Sequence, residues 1–297
     1  MSPDRPDAMS AQELVVQVSR LAQYELEFVG VADDGVSGGA VFVRWPAGRP
    51  GVITYADGPI ERMHGTAAVL NLAKASGLPV PAQEFIGELP NGRIVVVQER
   101  LPGNPIKRID VSLLDTVVAM NDRFAGLLAG RDDVPAPELC LRQSGPDHRR
   151  HEALEGYDDR TRRMLARIRA VGESVPDELV GDDLVHPDFA RGNILVDDSG
   201  HITGVVDWSS GALRGDRAFA LVSLRSDLEW RTLYNSSDWV PQAAVDRLED
   251  ILRTTVAPDV LNACWAHWTL HKAYAAILWD APAELDLWLG LGDIWLP

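Results

Sequence analysis

Asp188, Asn193 and Asp207 follow one another at intervals of five and fourteen residues, each beside aliphatic or β-branched residues that can anchor it. A carboxylate at Asp188 can orient an attacking hydroxyl and accept its proton, an assistance worth roughly 10²–10⁴ in rate. The Asn193 amide offers an oxygen to Mg²⁺ without adding charge. The Asp207 carboxylate offers a charged oxygen to a metal that bridges phosphates. One base and two oxygen ligands on short, anchored loops are the equipment of Mg²⁺-assisted phosphoryl transfer.

These groups need a frame. Ile194–Val196 and Ile202–Val206 read as two short strands around the turn Asp198-Ser199-Gly200, a hairpin that carries Asn193 and Asp207 to one end. Upstream, the apolar stripe Leu14, Val15, Val18, Leu21 predicts a helix over residues 11–23. Strands are expected at 25–32, 40–45 and 51–56, separated by the turn-forming runs 33–39 and 46–50. A helix at 59–76 stops at Gly77 and Pro79, and strands follow at 84–88 and 93–99. Residues 1–100 thus form an N-terminal β-β-β-α-β-β unit. Residues 101–105, Leu-Pro-Gly-Asn-Pro, are a connector, and 106–297 are mainly helical, with helices at 112–128 and 153–171. The fold class is α+β, with a small antiparallel sheet followed by a helical part.

The chain has 297 residues, no internal repeat, and no stretch of the roughly 18–20 uncharged apolar residues that spans a bilayer. The polar, acidic N-terminus is unlike a signal peptide. Cys140 and Cys264 are distant from each other and read as reduced thiols of a cytoplasmic protein. A net charge of −16 argues against nucleic acid or an anionic membrane as partner. It suits a small cationic partner, although solubility alone explains it equally well.

The segment His186-Pro187-Asp188-Phe189-Ala190-Arg191-Gly192-Asn193-Ile194-Leu195-Val196, with Val206-Asp207-Trp208, resembles the motif pair of the aminoglycoside phosphotransferases and their macrolide- and choline-kinase relatives. Gly215-Asp216-Arg217-Ala218-Phe219-Ala220-Leu221 is similar to that family's Gly-Asp-Pro-x-x-Asp-Leu. Gly77–Pro81 and Glu99–Gly103 match its hinge region. The resemblance implies a bilobal, protein-kinase-like fold. It makes Asp188 the catalytic base, Asn193 and Asp207 the Mg²⁺ ligands, and backbone groups of Glu99 and Leu101 the holders of the nucleotide base of ATP or GTP. His186 reads as a buried residue that orients the loop. Only nine residues separate Asp207 from Asp216, too few for the activation segment of a protein kinase, so a small molecule is the expected acceptor.

The chain departs from the family at the phosphates. The third strand normally carries a lysine paired with a helix glutamate. Here Thr54 takes the lysine position and Gly65 or Thr66 the glutamate position, and no lysine precedes Lys74. Arg44, Arg62 and His64 are the nearby cations. Arg44 is the candidate nucleotide contact, while Arg62 is expected to be a solvated surface residue. Pro187 replaces a glycine, and Ala220 replaces an aspartate.

Eight of the nine tryptophans follow residue 207. In the resembling family the C-terminal helices bind substrate. Asp227, Glu229 and Asp286 are therefore candidates for binding ammonium or guanidinium groups, with Trp279 adding a cation–π contact. Trp230, Asp238 and Trp239 extend the earlier cluster, although most of these tryptophans are expected in the core. The expected function is O-phosphorylation of a cationic antibiotic, an aminoglycoside or a basic cyclic peptide of the capreomycin or viomycin type, by a monomer or homodimer. A metabolic kinase of the choline or homoserine type and a non-catalytic binding protein are the alternatives.

Overall fold

The computed structural model describes residues 9–32, 40–146, 149–234 and 240–297. The chain forms two compact units. The first comprises residues 1–105 and 193–212, the second 106–192 and 213–297. The return to the first unit at Asn193 differs from the single C-terminal stretch expected from the sequence. Its cause is a three-stranded sheet of β6 (Asn104–Pro105), β8 (Ile194–Val196) and β9 (Ile202–Val205), which joins the connector to the hairpin.

The first unit opens with α1 (Ala11–Ala22), started by a capping box in which Ser10 and Glu13 exchange hydrogen bonds. An antiparallel sheet follows in the order β1 (Glu27–Val31), β2 (Val41–Arg44), β3 (Pro50–Ala56), β5 (Ile94–Glu99), β4 (Gln83–Glu88), with α2 (Ile60–Ala75) inserted after β3. Strand alternation divides the sheet's two faces. Val41, Val43, Ile53, Val95 and Val97 pack with Leu14, Val15 and Val18 of α1. Ile94 and Val96 pack with Met63 of α2, and Ala56 joins them. With a helix on each face, β5 is buried along nearly its whole length, hence its unbroken run Ile-Val-Val-Val.

The second unit contains α3 (Val111–Asp122), α4 (His151–Tyr157), α5 (Asp159–Gly172), β7 (Asp183–Val185), β10 (Leu213–Gly215), α6 (Ala218–Tyr234), α7 (Gln242–Thr255), α8 (Pro258–Leu278) and α9 (Pro282–Trp295). β7 pairs antiparallel with β10. Two expected helices are shorter than their patterns. α3 ends at Asp122 because the next residues bond to the β7 strand: Leu184 N–H donates to Phe124 O and Gly126 N–H to Asp183 Oδ1. The 153–171 pattern divides at Asp158, whose carboxylate caps α5 by accepting from Thr161 N–H at 2.7 Å. Both cysteines are free thiols, Cys264 in the core. Among the described residues no helix is long and apolar enough to cross a membrane.

Candidate active site

Asp188 leaves β7 through His186 and Pro187. Leu184 and Val185 are buried, and His186 is fully so. The His186 Nδ1 accepts the Asp188 backbone N–H at 3.1 Å, so that nitrogen carries no proton. The ring shapes the turn, and the Asp188 side chain stands exposed. Ala190 N–H donates to Asp188 O, and Phe189 is buried against the His186 ring.

The loop's other anchor is Arg191, 1% exposed. Its backbone N–H and its Nε both donate to Asp227 Oδ2, at 3.1 and 3.0 Å. Its Nη1 donates to Lys107 O, and its carbonyl accepts from Ile106 N–H. Asp227, read from sequence as a substrate carboxylate, is partly buried and bonded to the Asp188 loop through Arg191. It stands two helical turns past Ala220 on α6. Seven residues return to nearly the same helix face, so the carboxylate absent at 220 has a counterpart farther along it.

In the first unit, Val206 N–H donates to Asn193 O at 2.8 Å and closes the β8–β9 hairpin. Asn193 and Asp207 therefore emerge at one end of the ribbon. Asp207 has φ 64°, a left-handed conformation that Asp tolerates better than most residues. Trp208 enforces it: the indole is buried and its Nε1 donates to Val205 O at 3.0 Å. Ser209 Oγ donates to Asp207 Oδ1 at 2.7 Å. The loop is then tied to the β3–α2 connection and to α2 itself. Asp57 N–H donates to Ser209 O, Ser210 Oγ to Asp57 Oδ2, and Ala212 N–H to Thr66 Oγ1 at 3.1 Å. Thr66 is 2% exposed and Gly65 is open to solvent, so Thr66 is the residue of that pair that faces the loop.

The described residues hold no group of three or more His, Cys, Asp or Glu placed for a metal. Mg²⁺ does not require one, since it keeps several waters and takes one or two protein oxygens besides phosphate. The exposed Asp207 carboxylate and the Asn193 amide fit that donor set.

At the end of β5, Glu99 N–H donates to Ala82 O. The Glu99 carboxylate pairs with Lys74 and accepts from Ala82 N–H. Partial burial alone would raise its pKa; the Lys74 ammonium and the Ala82 N–H outweigh that and lower it. The Glu99 N–H and carboxylate are thereby committed. Leu101 N–H makes no backbone hydrogen bond among the described residues, and the Leu101 side chain packs on Gly204 of β9.

Arg44 does not stand as a free cation. It lies at the C-terminal end of β2 and pairs with Glu27 at 2.8 Å. Thr54 lies opposite Val96, on the sheet face that packs against α2. The segment 33–39 lies outside the described residues.

The structure does not gather the four substrate candidates. Glu229 bonds to the buried Arg225, which Glu249 also holds. Asp286 pairs with Arg160 of α5. The Glu229 pair lies within α6, whereas Arg225–Glu249 joins α6 to α7 and Arg160–Asp286 joins α5 to α9. Trp279, 60% exposed, closes α8. Trp265, Trp268, Trp288 and Trp295 are buried, the first and last stacked at 3.9 Å. Asp238 and Trp239 lie outside the described residues. Arg191, Thr66 and Ser209 are the residues that sequence reasoning missed. Arg191 lies inside the motif, but its partner is 36 residues away.

The model of the phosphotransferase enzyme family matches residues 31–238. No curated protein matches the chain. Among solved structures, a thermostable mutant of aminoglycoside phosphotransferase APH(4)-Ia is 17% identical, with a TM-score of 0.63 over 94% of this chain and 97% of that one. An aminoglycoside-3'-phosphotransferase of type VIII is 21% identical, with a TM-score of 0.59 over 88% and 99%. The amicoumacin kinase hAmiN is 13% identical, with a TM-score of 0.61 over 93% and 92%. The fold and the two motif loops are those of a kinase-like α+β phosphotransferase. The chain belongs to the phosphotransferase enzyme family.

Proposed function

We propose that the chain transfers the γ-phosphoryl group of ATP or GTP to a hydroxyl of a small cationic natural product, and so inactivates an antibiotic. The carrying observation is that Asp188 and Asp207 are both presented to solvent by loops whose neighbouring residues are buried and bonded. The acceptor oxygen attacks the γ-phosphorus, the bond to the leaving nucleoside diphosphate breaks, and the hydroxyl proton passes to the Asp188 carboxylate. Asn193 and Asp207 would hold Mg²⁺, which when bound offsets charge on the phosphates. Backbone groups of Glu99 and Leu101 would hold the nucleotide base.

A net charge of −16 supports a cationic acceptor. Like folds have been solved with ADP and hygromycin B, and with AMP-PNP and amicoumacin. An aminoglycoside and a basic cyclic peptide of the capreomycin type are the two acceptor classes. Trp279, exposed at the end of α8, is the candidate aromatic to stack on either. Thermal stabilisation by Mg²⁺ with ATP or GTP, followed by phosphate transfer against a panel of cationic antibiotics, tests the reading. Transfer to one drug, and growth protection against that drug, is expected. Nucleotide binding with transfer only to choline or homoserine would replace the antibiotic reading with a metabolic one.

A further inference from the structure

Strand β3 brings no charge to the sheet face it shares with α2, since Thr54 stands at the lysine position. The described basic residues of the first unit can be taken in turn. Arg44, Arg49 and Lys74 are in ion pairs with Glu27, Glu84 and Glu99. Arg93 and Arg100 lie over the rings of Tyr55 and Phe42. His201 belongs to the Asp197 turn. Arg20 is on α1, which covers the other face of the sheet. His64 is two positions past Arg62, about 200° round the helix.

Arg62 remains. Its guanidinium has no carboxylate partner among the described residues, in a chain of net charge −16. Yet its position is defined. A Cβ on Gly211 would come within 3.1 Å of Arg62 Cδ, and one on Gly58 within 2.9 Å of its Nη1. Both glycines have positive φ, 98° and 85°. The two turns that leave room for this side chain are the Asp57 turn and the loop that starts at Asp207, and they are bonded to each other through Ser209 and Ser210. Gly211 is four residues past Asp207. A permanently charged fork of N–H donors, laid over the loop of a metal-ligand carboxylate and left unpaired, has the chemistry of a phosphate contact.

We propose that Arg62 supplies to the donor's phosphate chain the positive charge that β3 lacks. The proposal rests on the reading of the chain as a nucleotide-dependent phosphotransferase. Binding of Mg²⁺–ATP, ADP and adenosine to the full chain, measured by calorimetry, tests it. Arg62→Met keeps the stem that packs on Gly211 and removes the charge. It should weaken ATP and ADP about ten- to hundredfold, the scale of a charge-assisted hydrogen bond, and leave adenosine unchanged. Arg62→Lys should recover part of the loss, and His64→Ala should bind like the wild type. Arg62→Met binding ATP and ADP as tightly as a wild type that binds both overturns the proposal and leaves the phosphotransferase reading standing. An equal loss of adenosine also overturns it, because the effect then is not on phosphates. A wild type that binds no nucleotide overturns both.

Discussion

Between Asp188 and Asn193 the chain is tied to α6 by a buried ion pair, Arg191–Asp227. Beyond Asp207 it is tied to α2 through Ala212 N–H and Thr66, and to the β3–α2 connection through Ser210 and Asp57, while Ser209 bonds Asp207 within the loop. The two anchors suit different neighbours. On the proposed reading Asp188 takes a proton and has to stay exposed; it lies three residues before Arg191, whose charge is balanced by Asp227. Asp207, on the same reading, faces a divalent ion and a triphosphate. A fixed ion pair there would compete with that ligand, whereas hydroxyl contacts, including Ser209 Oγ to Asp207 Oδ1, leave the carboxylate's net charge in place. The Asp188 loop is thus held by an ion pair, and the Asp207 loop by hydroxyl and backbone hydrogen bonds.

The largest test of the contrast is the base itself. Asp188→Asn should lower kcat about 10²–10⁴-fold. The exposed side chain bears little on the core, so the melting temperature should stay near the wild-type value. Full turnover by this variant would remove Asp188 from its role.

Breaking the ion pair comes next. Asp227→Ala leaves Arg191 charged and buried, a change that typically costs about 3–5 kcal/mol. Chemical denaturation should report that loss. The double variant Arg191→Met, Asp227→Leu should regain much of the stability but not the activity, because the backbone bond from Arg191 N–H to Asp227 is still gone. If Asp227→Ala unfolds like the wild type, the brace has no energetic weight.

The helical unit also buries a titratable group. Burial outweighs the Leu139 carbonyl contact and lowers the His267 pKa from 6.5 to about 4. Above pH 6.5 the ring is neutral both folded and unfolded, and stability is fully present. As pH falls from 6.5 towards 4 the unfolded chain binds a proton that the folded chain refuses. Stability then drops, by on the order of 3 kcal/mol in all, and levels off below pH 4. His267→Gln should flatten this part of the pH–stability profile; an unchanged slope would assign it to other groups.

The smallest effect is expected at the neutral anchor. Thr66→Val keeps the shape and removes the acceptor of Ala212 N–H, a loss of about 1–3 kcal/mol. Ser at the same position should restore most of it. Amide exchange at Ala212 reads the bond directly, and the Mg²⁺ concentration needed for nucleotide binding should rise in the valine variant. Unaltered exchange at Ala212 would show that the loop does not depend on α2.

Much of this protein was legible in its residues. Alternating β-branched runs and turn formers marked the five sheet strands and the β8–β9 hairpin, because strand and turn preferences are local. Asp188, Asn193 and Asp207 stood out because their spacing is set by one short segment. Less was legible where a residue's partner lies far along the chain. Asp227 and Asp286, read as substrate carboxylates from acid beside tryptophan, are bonded to Arg191 and Arg160, which only the packed fold brings to them; Glu229 pairs with Arg225 one turn away on α6. Arg44 looked free until β1 placed Glu27 beside it.

The sequence by itself determined which groups are candidates for the chemistry, since identity and short spacing are written along the chain. Tertiary structure alone decided which charges are neutralised and which, like that of Arg62, are left over. Coulomb and hydrogen-bond energies depend on distances of a few ångströms across the fold, and separation along the chain does not encode them.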